Sequence, residues 1–486
     1  MMIPAMQPWL GFIGVAVEVT AFALIPLVLL RRKEPSSTVA WILALVFLPA
    51  VGALLFLAFG RERVRLPARR KRELDALVRA ELAAHAPSAV ASPDDPIDAT
   101  GLTELELALF RVGARLTQTR PSSGNLVTPL FGGNEAYDAM GVAIDAARHH
   151  VHAEYYLIRN DATGAWFKER LIAAAKRGVE VRLLCDAFGC LALHASFLRD
   201  LHRAGARVAT FLPMRSMLLQ PVNLRNHRKI VVVDGEIGFT GGLNIGDEYR
   251  GQMAGVGAWR DIQVRIEGPA TRELQRIFFQ DWTFAAREKL AASSYFPECP
   301  PARGDATIAI VPSGPDTRAE AIERVFFGAI AGARERVWMT TPYFVPDQAI
   351  TVAMELAAMR GVDVKLILPH HSNHAVTFHA GRSFYDPLLE AGVKLYEYLP
   401  GMVHAKTMVV DGAVSLVGSA NMDLRSFRMN FEVHALAHDA ALARRLEESF
   451  TADLADAQLV SLADWRSRPT RARIYEGAAR LVSPLL

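Results

Sequence analysis

Asn226-His227-Arg228-Lys229-Ile230-Val231-Val232-Val233-Asp234 is followed at the next turn by Gly241-Gly242-Leu243-Asn244. The apolar run reads as a buried strand, with an imidazole and an ammonium at one end and a carboxylate at the other. Far downstream the spacing returns as His404-Ala405-Lys406-Thr407-Met408-Val409-Val410-Asp411 and Gly418-Ser419-Ala420-Asn421. One His-x-Lys arises by chance. Two, each followed by the same turn residues, call for a common explanation.

Working outward, the chain can be laid on itself. Arg177-Gly178-Val179-Glu180-Val181-Arg182-Leu183-Leu184 matches Arg360-Gly361-Val362-Asp363-Val364-Lys365-Leu366-Ile367, and Ala204-Gly205-Ala206-Arg207-Val208 matches Ala391-Gly392-Val393-Lys394-Leu395. In each copy an amphipathic helix (137 to 148; 319 to 334) leads to a short apolar strand (151 to 157; 337 to 344). Helix, strand, helix and the His-Lys strand follow in the same order. Strands alternating with helices of this length imply an α/β fold: two tandem domains, 131–285 and 306–460, each a mixed sheet flanked by helices. Residues 286–305, with Pro297-Glu298-Cys299-Pro300-Pro301, read as the linker between them, and 461–486 as a helical tail.

At 486 residues and 51% hydrophobic, with a mean hydropathy of +0.16, the chain is apolar for an enzyme of its size. The excess lies at the start. Two runs, about 9–30 and 39–59, each approach the roughly 20 residues a spanning helix needs, which predicts a transmembrane region over 1–60. No basic residue precedes the first run, which argues for a retained anchor over a cleaved signal. In the second run, Pro49 and Gly52 leave open a broken, re-entrant or interfacial segment. Arg31, Arg32 and Lys33 lie between the runs, and the larger cluster Arg61, Arg63, Arg65, Arg69, Arg70, Lys71 and Arg72 follows them. The larger cluster predicts that everything after residue 60 is cytoplasmic, and it would attract anionic lipid at about 1 kcal/mol per side chain. Residues 61–130 otherwise read as helices and a Pro- and Asp-rich linker without visible chemistry. The net charge of +3 carries no global polyanion-binding signal, and Cys185, Cys190 and Cys299 read as reduced structural thiols.

Side chains two apart on a strand share a face. His227 with Lys229, and His404 with Lys406, therefore each offer an imidazole beside a fixed cation. The duplicated pair suits phosphoryl chemistry: one neutral His attacks phosphorus, the other protonates the leaving alkoxide, and the lysines hold the non-bridging oxygens. Asn244 and Asn421 can donate to those oxygens, and Ser419 offers a hydroxyl where Gly242 has none. Asp234 and Asp411 precede Gly at a turn; their recurrence suggests support near the His-Lys face, with turn formation as the plain alternative. No carboxylate cluster suggests a metal, and His370, His371, His374 and His379 read as rim or surface residues. Met214, Met217, Leu218 and Leu219 read either as an acyl-chain contact or as core.

His-x-Lys-x4-Asp with a downstream Gly-Gly/Ser-x-Asn, present twice, resembles the phospholipase D superfamily. Asn223-Leu224-Arg225-Asn226-His227, Gly241 to Tyr249, Trp259-Arg260-Asp261, Thr341 to Asp347, Arg425-Ser426-Phe427, Asn430-Phe431-Glu432 and the ending Leu481 to Leu486 narrow the resemblance to bacterial cardiolipin synthases. The resemblance implies two pseudo-twofold domains sharing one active site. It implies phosphatidyl transfer between two phosphatidylglycerol molecules through a phosphohistidine, without metal or cofactor and without nucleic acid, at the cytoplasmic face of a bacterial inner membrane. By the same analogy His227 is the nucleophile and His404 the general acid, then base, an assignment that pseudo-symmetry leaves reversible. Asp261 and Glu432 would orient the imidazoles. Rival readings are a phospholipase D that uses water as acceptor and a non-catalytic lipid-binding protein.

Overall fold

The computed structural model describes residues 7–30, 35–57, 65–85, 97, 100–212, 224–251, 259–288, 292–297, 302–317 and 320–481. Arg31 to Lys33, Arg61, Arg63, the Met214 to Leu219 stretch, Cys299 and the last five residues lie outside that set. The chain divides into two compact units, Met1–Leu66 and Pro67–Leu486.

In the first unit, helices Gln7–Leu29, Pro35–Phe47 and Pro49–Leu55 pack through Ala21, Leu24, Val28, Leu45, Ala53 and Phe56. Phe22, Leu43, Val51 and Leu54 face outward. The expected single helix over 39–59 is instead two. Leu48 leaves helical geometry (φ −133, ψ 60) ahead of Pro49, whose ring has no N–H to continue the ladder. Gly52 permits a close approach, because a Cβ there would strike the Ala44 carbonyl. Among the described residues, no helix is long and apolar enough to cross a membrane.

The second unit holds two half-sheets of the same order. In the first, strands run Arg207–Phe211, Glu180–Asp186, His150–Tyr155, Ile230–Val233, Ile237–Gly241, Ile262–Glu267, Ser122–Phe131. In the second they run Lys394–Tyr398, Asp363–Pro369, Arg336–Thr340, Thr407–Val410, Val414–Gly418, Asn430–His438, Ala306–Ser313, with Ala457–Leu459 added at the outer edge. In each half the first three strands are parallel and the rest antiparallel. The halves join where Ser122–Phe131 meets Ala306–Ser313, pairing Ser122 with Ile308 and Asn125 with Ala306.

Strand alternation then sorts the core. Val231 and Val233 enter the first half's own helix-covered core, while Ile230 and Val232 enter a second cluster between the halves. Val409 reaches that shared cluster from the other side, and Met408 and Val410 turn away from it. The apolar run at the centre of each motif thus builds two cores at once.

One boundary differs from expectation. Ser122–Phe131 lies in the stretch read as linker, yet closes the first half-sheet against Ile262–Glu267; its Gly124, Asn125 and Pro129 hide the strand pattern. The tail helices Leu462–Ser467 and Thr470–Leu481 pack on the second half, where buried Trp465 stacks on Tyr385 at 4.6 Å.

Candidate active site

Each half reaches into the other just before its central strand. The strands begin at Ile230 and Thr407, so His227, Lys229, His404 and Lys406 precede them instead of lying within them. The reason is that these segments bond across the halves. Asn226 pairs with Phe431 in parallel and the His227 amide donates to the Phe431 carbonyl at 2.9 Å. Correspondingly, Val403 bridges Arg260 and the His404 amide donates to the Arg260 carbonyl at 2.7 Å.

That crossing sets the side chains. His227 Nδ1 lies 2.9 Å and 3.0 Å from the two Glu432 carboxylate oxygens, and His404 Nδ1 lies 2.6 Å from Asp261 Oδ2. Each imidazole is therefore held by the acid of the opposite half. For His227, the ionised Glu432 favours the tautomer that carries its proton on Nδ1 and leaves Nε2 free to attack. His227 and His404 both line one cavity of about 690 Å³, with Asn244, Asn421, Tyr156, Tyr249 and Trp259 also in its wall. The Tyr156 ring stands 5.0 Å from that of His227, and the Trp259 ring 5.0 Å from that of His404.

Lys229 and Lys406 are buried beneath the imidazoles. Lys229 Nζ donates to the His227 carbonyl at 2.6 Å, and Lys406 Nζ donates to the His404 carbonyl and sits 2.8 Å from His404 Nδ1. Burial pushes Lys229 down to about 7, opposed by Glu432 and reinforced by Lys406. It likewise pushes Lys406 down to about 8 against Asp261 and Glu432.

The two acids are not equivalent. Burial raises Asp261 to about 7, with Lys406 and the Ile262 N–H only partly opposing it. Burial also acts to raise Glu432, but the His227 ring, Lys229 and the Ser419 hydroxyl outweigh it and bring the carboxyl to about 2. Burial lowers His227 to about 4 against Glu432. It takes His404 well below the usual imidazole value, aided by Lys406 and Lys229.

The turn glycine and serine add to the difference. Ser419 is fully buried; its hydroxyl donates to Glu432 Oε2 at 2.5 Å and accepts the Val433 N–H at 3.0 Å. The expected phosphate contact for Ser419 is therefore corrected: it stands behind the acid, away from the cavity. At the matching position Gly242 has no side chain because a Cβ would collide with the Asp261 carboxylate. Asn430 adds a donor to Glu432 Oε1 at 3.1 Å.

Asn244 donates Nδ2 to the Tyr249 hydroxyl at 2.7 Å. Asn244 Oδ1 and Asn421 Oδ1 are buried without a hydrogen-bond partner, and both residues line the cavity.

Asp234 and Asp411 do not join the site. Each sits at the far end of its strand with positive φ (54° and 51°), a conformation Asp tolerates better than most residues. The Asp234 carboxylate accepts the N–H groups of Arg148, His149 and His150 at 2.8–2.9 Å. The Asp411 carboxylate accepts those of Arg334, Glu335 and Arg336 at 2.8–2.9 Å. Their recurrence reflects a repeated turn that ties two strands, and the expectation of support near the His-Lys face is corrected accordingly. Of the four discounted histidines, His374 lines the cavity, and His370 Nδ1 lies 2.9 Å from Glu397.

Sequence reasoning missed the layer beneath His227. Arg228 points away from the cavity: it donates to the Glu432 carbonyl at 3.1 Å and pairs with buried Asp281. Lys71, read as part of a lipid-facing basic cluster, is almost fully buried instead, 3.0 Å from Asp281, 3.1 Å from Asp316 and 2.9 Å from Asp75. Nothing in a run of arginines marks which cation turns inward.

Two imidazoles, each gripped by the opposite half's carboxylate over a buried lysine and facing one cavity between repeated α/β halves, define the phospholipase D class of phosphodiester-transfer site. A family profile described as "Cardiolipin synthase, PLD-like domain" matches residues 141–282 and 327–454, and one described as "Phospholipase_D-nuclease N-terminal" matches 19–61. Over 479 residues the chain is 37% identical to a cardiolipin synthase of Geobacillus kaustophilus, covering 98% of this chain and 94% of that one. It is also 37% identical to cardiolipin synthase 2 of Bacillus anthracis over 472 residues, covering 96% and 90%. A solved phosphatidylserine synthase of Haemophilus influenzae shares the fold, with a TM-score of 0.60 at 14% identity over 78% of this chain and 100% of that one. The chain belongs to the cardiolipin synthase family of phospholipase D-like proteins.

Proposed function

We propose that the chain transfers a phosphatidyl group from one phosphatidylglycerol to another, releasing glycerol and forming cardiolipin. The observation that carries this reading is the reciprocal pair His227–Glu432 and His404–Asp261 on one cavity. Neutral His227 attacks phosphorus through Nε2 while ionised Glu432 stabilises the positive charge that develops on the ring. The bond from phosphorus to the glycerol oxygen breaks, and that oxygen takes a proton from His404 Nε2 as Nδ1 receives the one held by Asp261, whose carboxyl is raised to about 7. His404 then removes the proton of the incoming lipid hydroxyl, whose oxygen forms the new bond to phosphorus as the phosphorus–Nε2 bond breaks. The charges of Lys229 and Lys406 act on both rings and counter the extra negative charge of each transition state. Asn244 and Asn421, in the cavity wall with both histidines, offer side-chain amides to the lipid headgroup.

We further infer that Met1–Leu66 anchors the enzyme in the bacterial inner membrane with the catalytic unit in the cytoplasm. Two apolar runs, the outward Phe22, Leu43, Val51 and Leu54, and the basic residues after them support this.

The test uses full-length protein in detergent with phosphatidylglycerol and EDTA. Cardiolipin plus glycerol is expected; phosphatidic acid as the sole product would convert the reading to a hydrolase. His227→Ala and His404→Ala should each lose turnover by ~10³-fold or more with the fold intact, and the double variant should be little worse than either. Near-normal synthesis by either single variant would end the shared-site mechanism.

A further inference from the structure

Arg225 and Arg425 line the cavity beside His227, yet the transfer steps above leave them without a task. They come from opposite halves. Arg225 stands two residues before His227 on the short strand Arg225–Asn226, which pairs with Asn430–Phe431. Its guanidinium stacks over the Phe188 ring at 4.3 Å and donates to the Leu224 carbonyl at 2.6 Å. Arg425 stands on helix Leu424–Arg428. Tyr156 locates both: its ring is 5.0 Å from His227, and both guanidinium charges act on its hydroxyl.

The two acids nearby also accept backbone N–H groups. Asp186 accepts the N–H groups of Phe188, Gly189 and Asn226 at 2.8–3.0 Å, and Asp423, pushed up to about 6 by burial, accepts the Ser426 N–H at 2.6 Å. Arg225 is lowered by burial; Asp186 opposes that and Arg425 adds to it.

The pseudo-symmetric positions show that this charge is not part of the repeat. Seven residues after Gly418 stands Arg425, whereas seven after Gly241 stands Glu248, ion-paired with Arg159 at 3.0 Å. Two residues before His227 stands Arg225, whereas two before His404 stands Met402. Positive charge is therefore gathered at one flank of a cavity whose reacting centre already has a lysine beneath each imidazole.

We propose that Arg225 and Arg425 form a second anion subsite, which holds the phosphodiester of the acceptor phospholipid while its free hydroxyl attacks the phosphorus on His227. This rests on the transfer reading above and names what that reading leaves open, the choice of acceptor. A phosphatidylglycerol acceptor carries its own phosphate three carbons from the attacking hydroxyl, so the reaction brings a second anion close to the first. Guanidinium forks match phosphate oxygens in geometry as well as charge. Water and short alcohols have no group for this subsite, so it favours lipid transfer over hydrolysis.

The experiment offers full-length enzyme in detergent two acceptors at once, phosphatidylglycerol and ethanol, and measures cardiolipin, phosphatidylethanol and phosphatidic acid together. Arg225→Gln and Arg425→Gln are each expected to lower the ratio of cardiolipin to phosphatidylethanol by about tenfold or more. The residual phosphatidylethanol shows that the variant is folded and able to form the intermediate. Should Arg225→Gln give no product at all, the more accessible Arg425→Gln decides. Equal loss of all three products would place the arginines on the reacting phosphate, and an unchanged ratio would leave them without a role in acceptor choice; either overturns the proposal. Wild-type protein that makes no cardiolipin would remove the transfer reading itself, a different result from variants that make it in an unaltered ratio.

Discussion

The two halves share strand order, turns and His-Lys spacing, yet differ in how each acid is held. In the second half, the longer Glu432 is bonded by Ser419 and Asn430 and stays ionised against His227. In the first half, the shorter Asp261 fills the space a side chain at 242 would need, and burial keeps its carboxyl near neutrality. Because each acid serves the opposite histidine, a difference in one half becomes a difference in the chemistry of the other. An ionised partner suits a nucleophile that turns cationic; an acid near pH 7 suits a residue that gives and takes protons.

The largest expected effect tests this directly. Glu432→Gln should slow transfer by ~10²–10⁴-fold whatever the leaving group, since it disables His227. Asp261→Asn should lose a similar factor with phosphatidylglycerol but recover much of it on a phosphatidyl ester of p-nitrophenol, which leaves without a proton. Equal recovery in both variants, read by release of the alcohol or phenol, would erase the functional asymmetry. Recovery only in Glu432→Gln would invert it.

A smaller effect separates the turns. Gly242→Ala forces Asp261 away from His404 and should cost ~10²-fold in kcat. Ser419→Ala removes one hydrogen bond to Glu432, on the order of 1 kcal/mol and so several-fold. The order of these two losses is the measurement that matters.

The pH profile sharpens the comparison further. Attack needs neutral His227, so kcat/KM should fall as pH drops through about 4. Protonation of the leaving group draws on the His404–Asp261 pair, and Asp261 at about 7, Lys229 at about 7 and Lys406 at about 8 all lose their protons as pH rises. The alkaline limb should therefore lie near 7–8. Glu432 raises the His227 value, so Glu432→Gln should move the acidic limb downward; movement upward would contradict the charge assignment.

The smallest effect on turnover belongs where the halves are most alike. Asp234→Ala and Asp411→Ala each orphan three backbone N–H groups and place Ala at positive φ, so each should lower stability by about 1–3 kcal/mol. Thermal melts should show this with kcat little changed. A large fall in kcat without loss of stability would return these residues to the catalytic set.

Much of the fold was legible because duplication makes local signals confirm each other: the Arg-Gly and Ala-Gly turns and the apolar strands recur in register. Ser122–Phe131 was not legible, since a strand interrupted by Gly, Asn and Pro carries no clear alternation. Ser419 was misplaced because spacing does not say whether a hydroxyl faces ligand or acid. Lys71 was misread because a cation in a basic run gives no sign of the three carboxylates that enclose it.

By itself, the sequence determined that two imidazole-lysine sets exist, that an acid follows each, and that the halves repeat. These are properties of residue type and spacing, which local chain geometry preserves. Only the tertiary structure decided which acid holds which histidine, because hydrogen bonds such as His227–Glu432 join residues far apart in the chain. The same long-range packing set the unequal acids and gathered Arg225 and Arg425 at one flank, for charge and burial depend on what the other half brings within a few ångströms.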